Sequence, residues 1–179
     1  MKDWNVVASV QPEGYSRGRR LLETWGSVAK TDYFNVLVAR VDDVEALLEG
    51  LRSAAEKEPR ILHTLGRVVP ARETFDFRSA EEFEQGASAL CREWAPALAG
   101  RAFHVRMHRR GFKGRLSGQT EEQRLDGVLL EALEAAGAPG RITFDDPDAI
   151  VAVETVGGRA GLSLWTREDL ARYPLLGLD

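Results

Sequence analysis

The sequence predicts an α+β fold in two consecutive domains, and three features carry that expectation. Residues 1–70 alternate between strand-like and helix-like patterns in the order β-α-β-β-α-β. From residue 79 onward, two capped amphipathic helices are interleaved with short apolar strands. Residues 71–78 between them read as a linker, giving domains of 1–72 and 79–170.

In the first domain, Trp4, Val6, Ala8 and Val10 alternate as a strand. Gly14 and Gly18 surround a loop, and Arg19 to Trp25 reads as a short helix. Ser27–Lys30 and Tyr33–Val41 are strand-like on either side of Thr31-Asp32, a hairpin turn. Asp42 or Asp43 then caps a helix with the apolar stripe Val44, Leu47, Leu48 and Leu51, which Pro59 ends. Ile61–Val69 reads as the last strand, closed by Pro70. This order is that of a ferredoxin-like domain.

In the second domain, Ser79 and Glu82 form a capping box ahead of Phe83, Ala87, Leu90 and Trp94 at helical spacing. Ala102–Arg109 alternates as a strand. Phe103, Val105 and Met107 share one face, while His104, Arg106, His108 and Arg110 share the other, expected to be a surface. Thr120 and Gln123 make a second capping box for a helix carrying Leu125, Val128, Leu129, Leu133 and Ala136, ended by Gly137. Ala149–Val156 and Leu162–Trp165 are strands joined around Gly157-Gly158, a hairpin signal.

Charge is unevenly distributed along the 179 residues, whose net charge is −4. Residues 1–78 balance 12 basic with 12 acidic side chains, whereas 79–179 hold 12 basic and 16 acidic. Six of those 12 basic residues fall within 101–115 with no acid among them: Arg101, Arg106, Arg109, Arg110, Lys113 and Arg115. A basic site on an acidic body suits one shaped polyanion in one place, not a general coat on nucleic acid. No apolar run is long enough to span a bilayer, and no signal-peptide pattern opens the chain. The single cysteine, Cys91, precludes an internal disulfide and fits a reducing cytoplasm.

Within the basic segment, Gly111, Gly114 and Gly118 permit close backbone approach, and arginine forks match phosphate oxygens. Ser117, Gln119 and Thr120 lead into a helix N-terminus, where unpaired N–H groups favour anions. Against this, Glu121 and Glu122 sit in the first turn and would repel phosphate. The alternative is a solvated loop whose arginines pair with acids elsewhere, such as Arg106 with Glu154. Arg17, Arg19 and Arg20 form a smaller cluster that reads equally well as a solvated helix end.

Other chemistry finds little support. His104 and His108 lie roughly 13 Å apart along a strand, too far to share a metal, and His63 is isolated, so no metal site is expected. Cys91 falls beside an apolar stripe as a packed thiol. Ser117 lacks a nucleophile elbow, and Asp145, Asp146 and Asp148 around Pro147 read as a turn. No dinucleotide fingerprint or P-loop is present, so neither a catalytic residue nor a cofactor is expected.

The segments Phe103-His-Val-Arg-Met-His-Arg-Arg-Gly111, Ser117 to Gly127, Asp146-Pro-Asp-Ala-Ile-Val-Ala-Val-Glu154 and Gly158-Arg-Ala-Gly-Leu-Ser163 together resemble a THUMP domain. The resemblance covers roughly residues 79–168. A ferredoxin-like domain commonly precedes a THUMP fold, in agreement with the reading of residues 1–70. The resemblance implies binding of tRNA at its acceptor stem and single-stranded 3′ end. Arg106, Arg109, Arg110, Lys113 and Arg115 would hold phosphates, His108 would lie among them, and Ser117 and Gln119 would add neutral hydrogen bonds. Most such proteins carry a catalytic module, for which this sequence shows no room after Asp179. It therefore resembles the stand-alone type that presents tRNA to a separate acetyltransferase forming 4-acetylcytidine. Service to another modification enzyme, or activity of its own, are the alternatives.

Overall fold

The computed structural model describes residues 1–178. Two compact units result: Met1–Ala71 with the segment from Glu168 onward, and Arg72–Arg167. Residues 168–170, expected at the end of the second domain, therefore group with the first unit. Among the described residues, no helix is long and apolar enough to cross a membrane.

The first unit opens with β1 (Val6–Val10), a 3-10 turn at Pro12–Gly14 and α1 (Tyr15–Leu22). There follow β2 (Gly26–Lys30), β3 (Val36–Val41), α2 (Val44–Lys57), α3 (Ile61–Thr64) and β4 (Leu65–Pro70). The strands form one sheet in the order β2-β3-β1-β4, with every neighbouring pair antiparallel. Asp43 is the cap of α2, its Oδ1 accepting the Ala46 N–H at 2.9 Å. Leu47, Leu48 and Leu51 are buried.

Two elements depart from the sequence reading. The first helix begins at Tyr15, not Arg19, and takes Gly18 into its buried face. A Cβ there would stand 3.0 Å from both Leu65 Cδ2 and Val10 Cγ1, so glycine permits the helix to approach the sheet. The stretch expected as one strand from Ile61 is instead a helical turn followed by β4. Ile61, Thr64 and Leu65 are buried while Leu62 and His63 are exposed, the i, i+3, i+4 pattern of a helix face and not the alternation of a strand.

The second unit contains β5 (Glu73–Asp76), α4 (Ala80–Trp94), a 3-10 turn (Ala95–Leu98), β6 (Ala102–His108) and α5 (Gly118–Ala135). It continues through β7 (Arg141–Ile142), β8 (Ala149–Val156) and β9 (Arg159–Thr166), and α6 (Arg167–Arg172) follows. The sheet order is β5-β9-β8-β6-β7. Strand β6 runs parallel to β8 and β7, while β9 is antiparallel to β8 and β5. Residues 71–78 are thus no linker: β5 pairs Glu73–Asp76 with β9, and Phe75 and Phe77 pack their rings on Phe83 of α4. Phe75 and Phe77 are two residues apart, the spacing that puts both side chains on one face of a strand.

Ser79 caps α4 by accepting the Glu82 N–H at 3.1 Å, while Glu82 reaches back to the Arg78 N–H at 2.7 Å. The core of this unit joins Phe83, Ala87, Cys91 and Trp94 of α4, Leu125, Leu129 and Leu133 of α5, and Phe103, Val105, Val151 and Val153 of the sheet. The β8–β9 turn spans Gly157-Gly158 between the paired Val156 and Arg159. Gly157 adopts φ 59°, a left-handed value glycine reaches without strain.

Candidate nucleic-acid interface

The basic segment begins on an interior strand, not on a surface one. Sheet pairing and the adjacent 143–144 loop enclose His104, which is 2% exposed, with Nδ1 2.8 Å from the Thr143 oxygen and the Phe144 ring beside it. Strand β7 pairs only with Ala102 and Phe103. Beyond them, two carboxylates of α5 take over the open edge of β6. Asp126 Oδ1 accepts the Val105 N–H at 2.8 Å, and Glu122 Oε1 accepts the Met107 N–H at 2.7 Å. Burial pushes the Asp126 carboxyl up to about 6, against the lowering effect of its Val105 hydrogen bond, with Glu122 adding to the rise. The helix start and the strand end are therefore fastened together at the backbone.

This arrangement also disposes of the acids at the helix start. Glu121 is buried, and burial first, then Glu84, pushes its carboxyl upward. Arg124 stands 3.0 Å from Glu84 and 3.9 Å from Glu121. Glu122 is occupied by the Met107 N–H and lies 4.0 Å from Arg106 Nη1. The expected repulsion of phosphate by both side chains is thus weakened, because they turn into the protein toward cations and N–H groups. The helix cap is Ser117, whose Oγ accepts the Thr120 N–H at 3.4 Å, in place of the expected Thr120 and Gln123 box. Gln123 is exposed.

At the end of β6, Arg110 is clamped on all sides. Its N–H points to the oxygen and the hydroxyl of Thr155 at 3.2 and 3.1 Å, and its own oxygen accepts the Gly157 N–H at 2.9 Å. Its guanidinium donates to Glu154, whose side chain is 2% exposed. His108 Nδ1 lies 3.0 Å from the other Glu154 oxygen. Glu154 therefore faces Arg110 and His108, and Arg106, which the alternative reading paired with Glu154, lies 4.0 Å from Glu122.

From this base the chain leaves as a loop with three consecutive-region left-handed residues, Gly111, Phe112 and Gly114, at φ 102°, 53° and 77°. Phe112 is the anchor. Its ring packs 4.8 Å from Phe77, and the Arg115 guanidinium covers it at 4.4 Å. Leu116 is buried as the loop turns into α5. Arg109 donates to the Gly111 oxygen and is half-buried. Lys113, Arg115, Ser117 and Gln119 are exposed. Lys113 has no ion pair or hydrogen bond among the described residues. The expected set thus divides: Arg106, His108 and Arg110 are committed within the protein, while Arg109, Lys113 and Arg115 gather in the loop beside Ser117 and Gln119.

Elsewhere, burial pushes the Cys91 thiol up to about 12. Asp148 accepts the Ala102 N–H at 2.8 Å, which holds its carboxyl below the usual range, and Arg167 lies 3.1 Å away. Arg17 pairs with Glu58, Arg19 with Glu23 at 3.0 Å, and Arg20 is exposed. Sequence reading missed the Phe112 anchor, which has no periodic signal, and the two carboxylates on β6. An acid four residues before another, Glu122 and Asp126, on the face of a helix otherwise burying leucines was the available sign.

No family model matches the chain, and no curated protein matches it. Solved structures do resemble it. PH1313 from Pyrococcus horikoshii superposes with a TM-score of 0.60 at 11% identity, over 89% of this chain and 53% of that one. TrmN from Thermus thermophilus gives 0.53 at 19% identity, over 89% and 44%. A 4-thiouridine synthetase solved with RNA and ATP gives 0.54 at 12% identity, over 92% and 42%. The chain spans about half the length, or less, of these structures. At such identities the likeness is one of fold, and it supports a THUMP-like fold.

Proposed function

We propose that this chain is a non-catalytic tRNA-binding adaptor, in which a ferredoxin-like first unit accompanies a THUMP-like second unit. The observation that carries the reading is the loop after β6. It carries three cations, Arg109, Lys113 and Arg115, is anchored by Phe112 on Phe77 with Arg115 over the Phe112 ring, and leads into a capped helix start. That surface suits phosphate oxygens, and neutral Ser117 and Gln119 stand beside it for single-stranded nucleotides. The fold likeness to a 4-thiouridine synthetase solved with RNA supports an RNA ligand. The first unit's all-antiparallel β2-β3-β1-β4 sheet, reached through β-α-β-β-α-β, supports the ferredoxin-like assignment.

The adaptor reading draws on what the polar candidates for chemistry already do. Ser117 caps a helix, Asp148 holds a backbone N–H and an arginine, and the Cys91 thiol is buried. The protein then acts by positioning: it grips the acceptor stem and 3′ end and delivers a distant nucleotide to a separate enzyme. An RNA cytidine acetyltransferase forming 4-acetylcytidine is the partner that the sequence resemblance favours.

The test is binding of a tRNA transcript, followed by nucleoside mass spectrometry. The protein should bind the transcript and bind less tightly when the 3′ single strand is removed. Incubated alone with tRNA and acetyl-CoA, it should leave every nucleoside unchanged. A modified nucleoside formed without a second protein would make it an enzyme, and absence of binding at low salt would end the tRNA reading.

A further inference from the structure

We infer that Glu154 is a positioning residue for the RNA-binding loop, and that Arg110 belongs to this clamp and not to the phosphate contacts. The inference rests on the RNA-binding reading and refines which residues of that site touch the ligand. Glu154 sits inside strand β8, whose other residues are apolar except for Thr155, directly opposite His108 in the parallel pairing of β6 and β8. Its carboxylate is almost wholly buried, and both oxygens face basic side chains: Arg110 on one, His108 at 3.0 Å on the other. The Arg110 side chain is only 13% exposed.

The backbone agrees with the side chains. Arg110 donates its N–H to Thr155, the neighbour of Glu154, and accepts the Gly157 N–H from the β8–β9 turn. Residue 110 is thus fixed to β8 by backbone and guanidinium at once, and Gly111 begins the left-handed excursion immediately after it. A buried carboxylate accepting from a guanidinium holds a more defined geometry than an exposed pair, because neither partner can exchange readily with water. The loop's direction at its first residue is therefore set by Glu154, and Phe112 on Phe77 fixes it further along.

This role makes a prediction opposite to simple electrostatics. Removing an acid from beside a cationic RNA site ordinarily tightens binding. Loss of a positioning acid should weaken it, because the loop cations are no longer held together. The probe is a fluorescently labelled, unmodified tRNA transcript, titrated against the full chain at several salt concentrations. Glu154→Ala should weaken binding about threefold to tenfold, while leaving the slope of log affinity against log salt unchanged. Glu154→Gln, whose amide oxygen can still accept from Arg110, should recover most of that loss. Lys113→Ala should instead reduce the slope by about 1, as loss of a phosphate contact does.

A second readout is independent of RNA. Trypsin cuts after exposed Lys113 and Arg115, and Glu154→Ala should be cleaved there several-fold faster than the wild type. Faster cleavage without any tRNA binding by the wild type would retain the clamp and refute the RNA reading. If Glu154→Ala does not fold, Arg110→Gln replaces it: a clamp residue leaves the salt slope unchanged and speeds cleavage, whereas a phosphate ligand lowers the slope by about 1. Equal or tighter tRNA binding by folded Glu154→Ala, with wild-type cleavage, would overturn the inference. So would a lowered slope in Arg110→Gln.

Discussion

Asp126 shows how one side chain can serve both the fold and its pH response. Its oxygen accepts the Val105 N–H on the open edge of β6, and burial raises its folded carboxyl to about 6 from an ordinary 3.8. Between about pH 4 and 6 the folded state therefore keeps a proton that the unfolded chain releases. The stabilisation from that proton is complete below about pH 4 and is lost as the pH rises through about 6. Asp126→Asn keeps an acceptor for the Val105 N–H without a buried charge. It should flatten the stability profile across pH 4–6 and, at pH 8, gain on the order of 1 kcal/mol. Chemical denaturation of both proteins across that range checks this, and identical profiles would contradict it. Cys91 supplies a second test. Burial pushes its thiol up to about 12, so a thiol-reactive disulfide reagent at pH 8 should label it only as fast as the protein opens. Immediate labelling of the native protein would contradict that.

The elements around the loop were partly legible in the sequence, for physical reasons that differ from one to the next. Strong local signals placed α2, α4 and the β8–β9 hairpin: Asp43 and Ser79 cap their helices, and paired glycines turn the hairpin. Where the decisive partner was distant, local pattern misled. Glu73–Asp76 looks like a linker because its apolar residues are few, and it becomes a strand only by pairing with β9 some 85 positions away. The cap of α5 was misread because Ser117 and Thr120 both precede a polar residue at the right spacing. Geometry chose Ser117, which is extended at φ −112° and ψ 120°. Ser117→Ala should therefore cost about 1 kcal/mol of stability, with Thr120→Ala costing less. Thermal or urea unfolding of both variants measures the difference, and a larger loss in Thr120→Ala would return the cap to the later position.

At the scale of the whole chain, the basic loop is a local feature of an acidic protein. Of the six basic residues in 101–115, the sequence alone gives no means of separating contact residues from framework, because charge and spacing are similar for all. In the structure their partners differ. Arg106 and Arg110 face acids of α5 and β8, and the loop keeps Arg109, Lys113 and Arg115. With a net charge of −4, affinity for a polyanion should depend on that loop more than on the surface at large. The most direct measurement is the salt dependence of binding to a tRNA transcript for the wild type and for the combined Arg109→Ala, Lys113→Ala, Arg115→Ala variant. The variant should lose about tenfold or more in affinity at low salt, and its log–log slope should fall by about 2 to 3. An unchanged affinity and slope in a folded variant would show that tRNA, if bound, is held elsewhere.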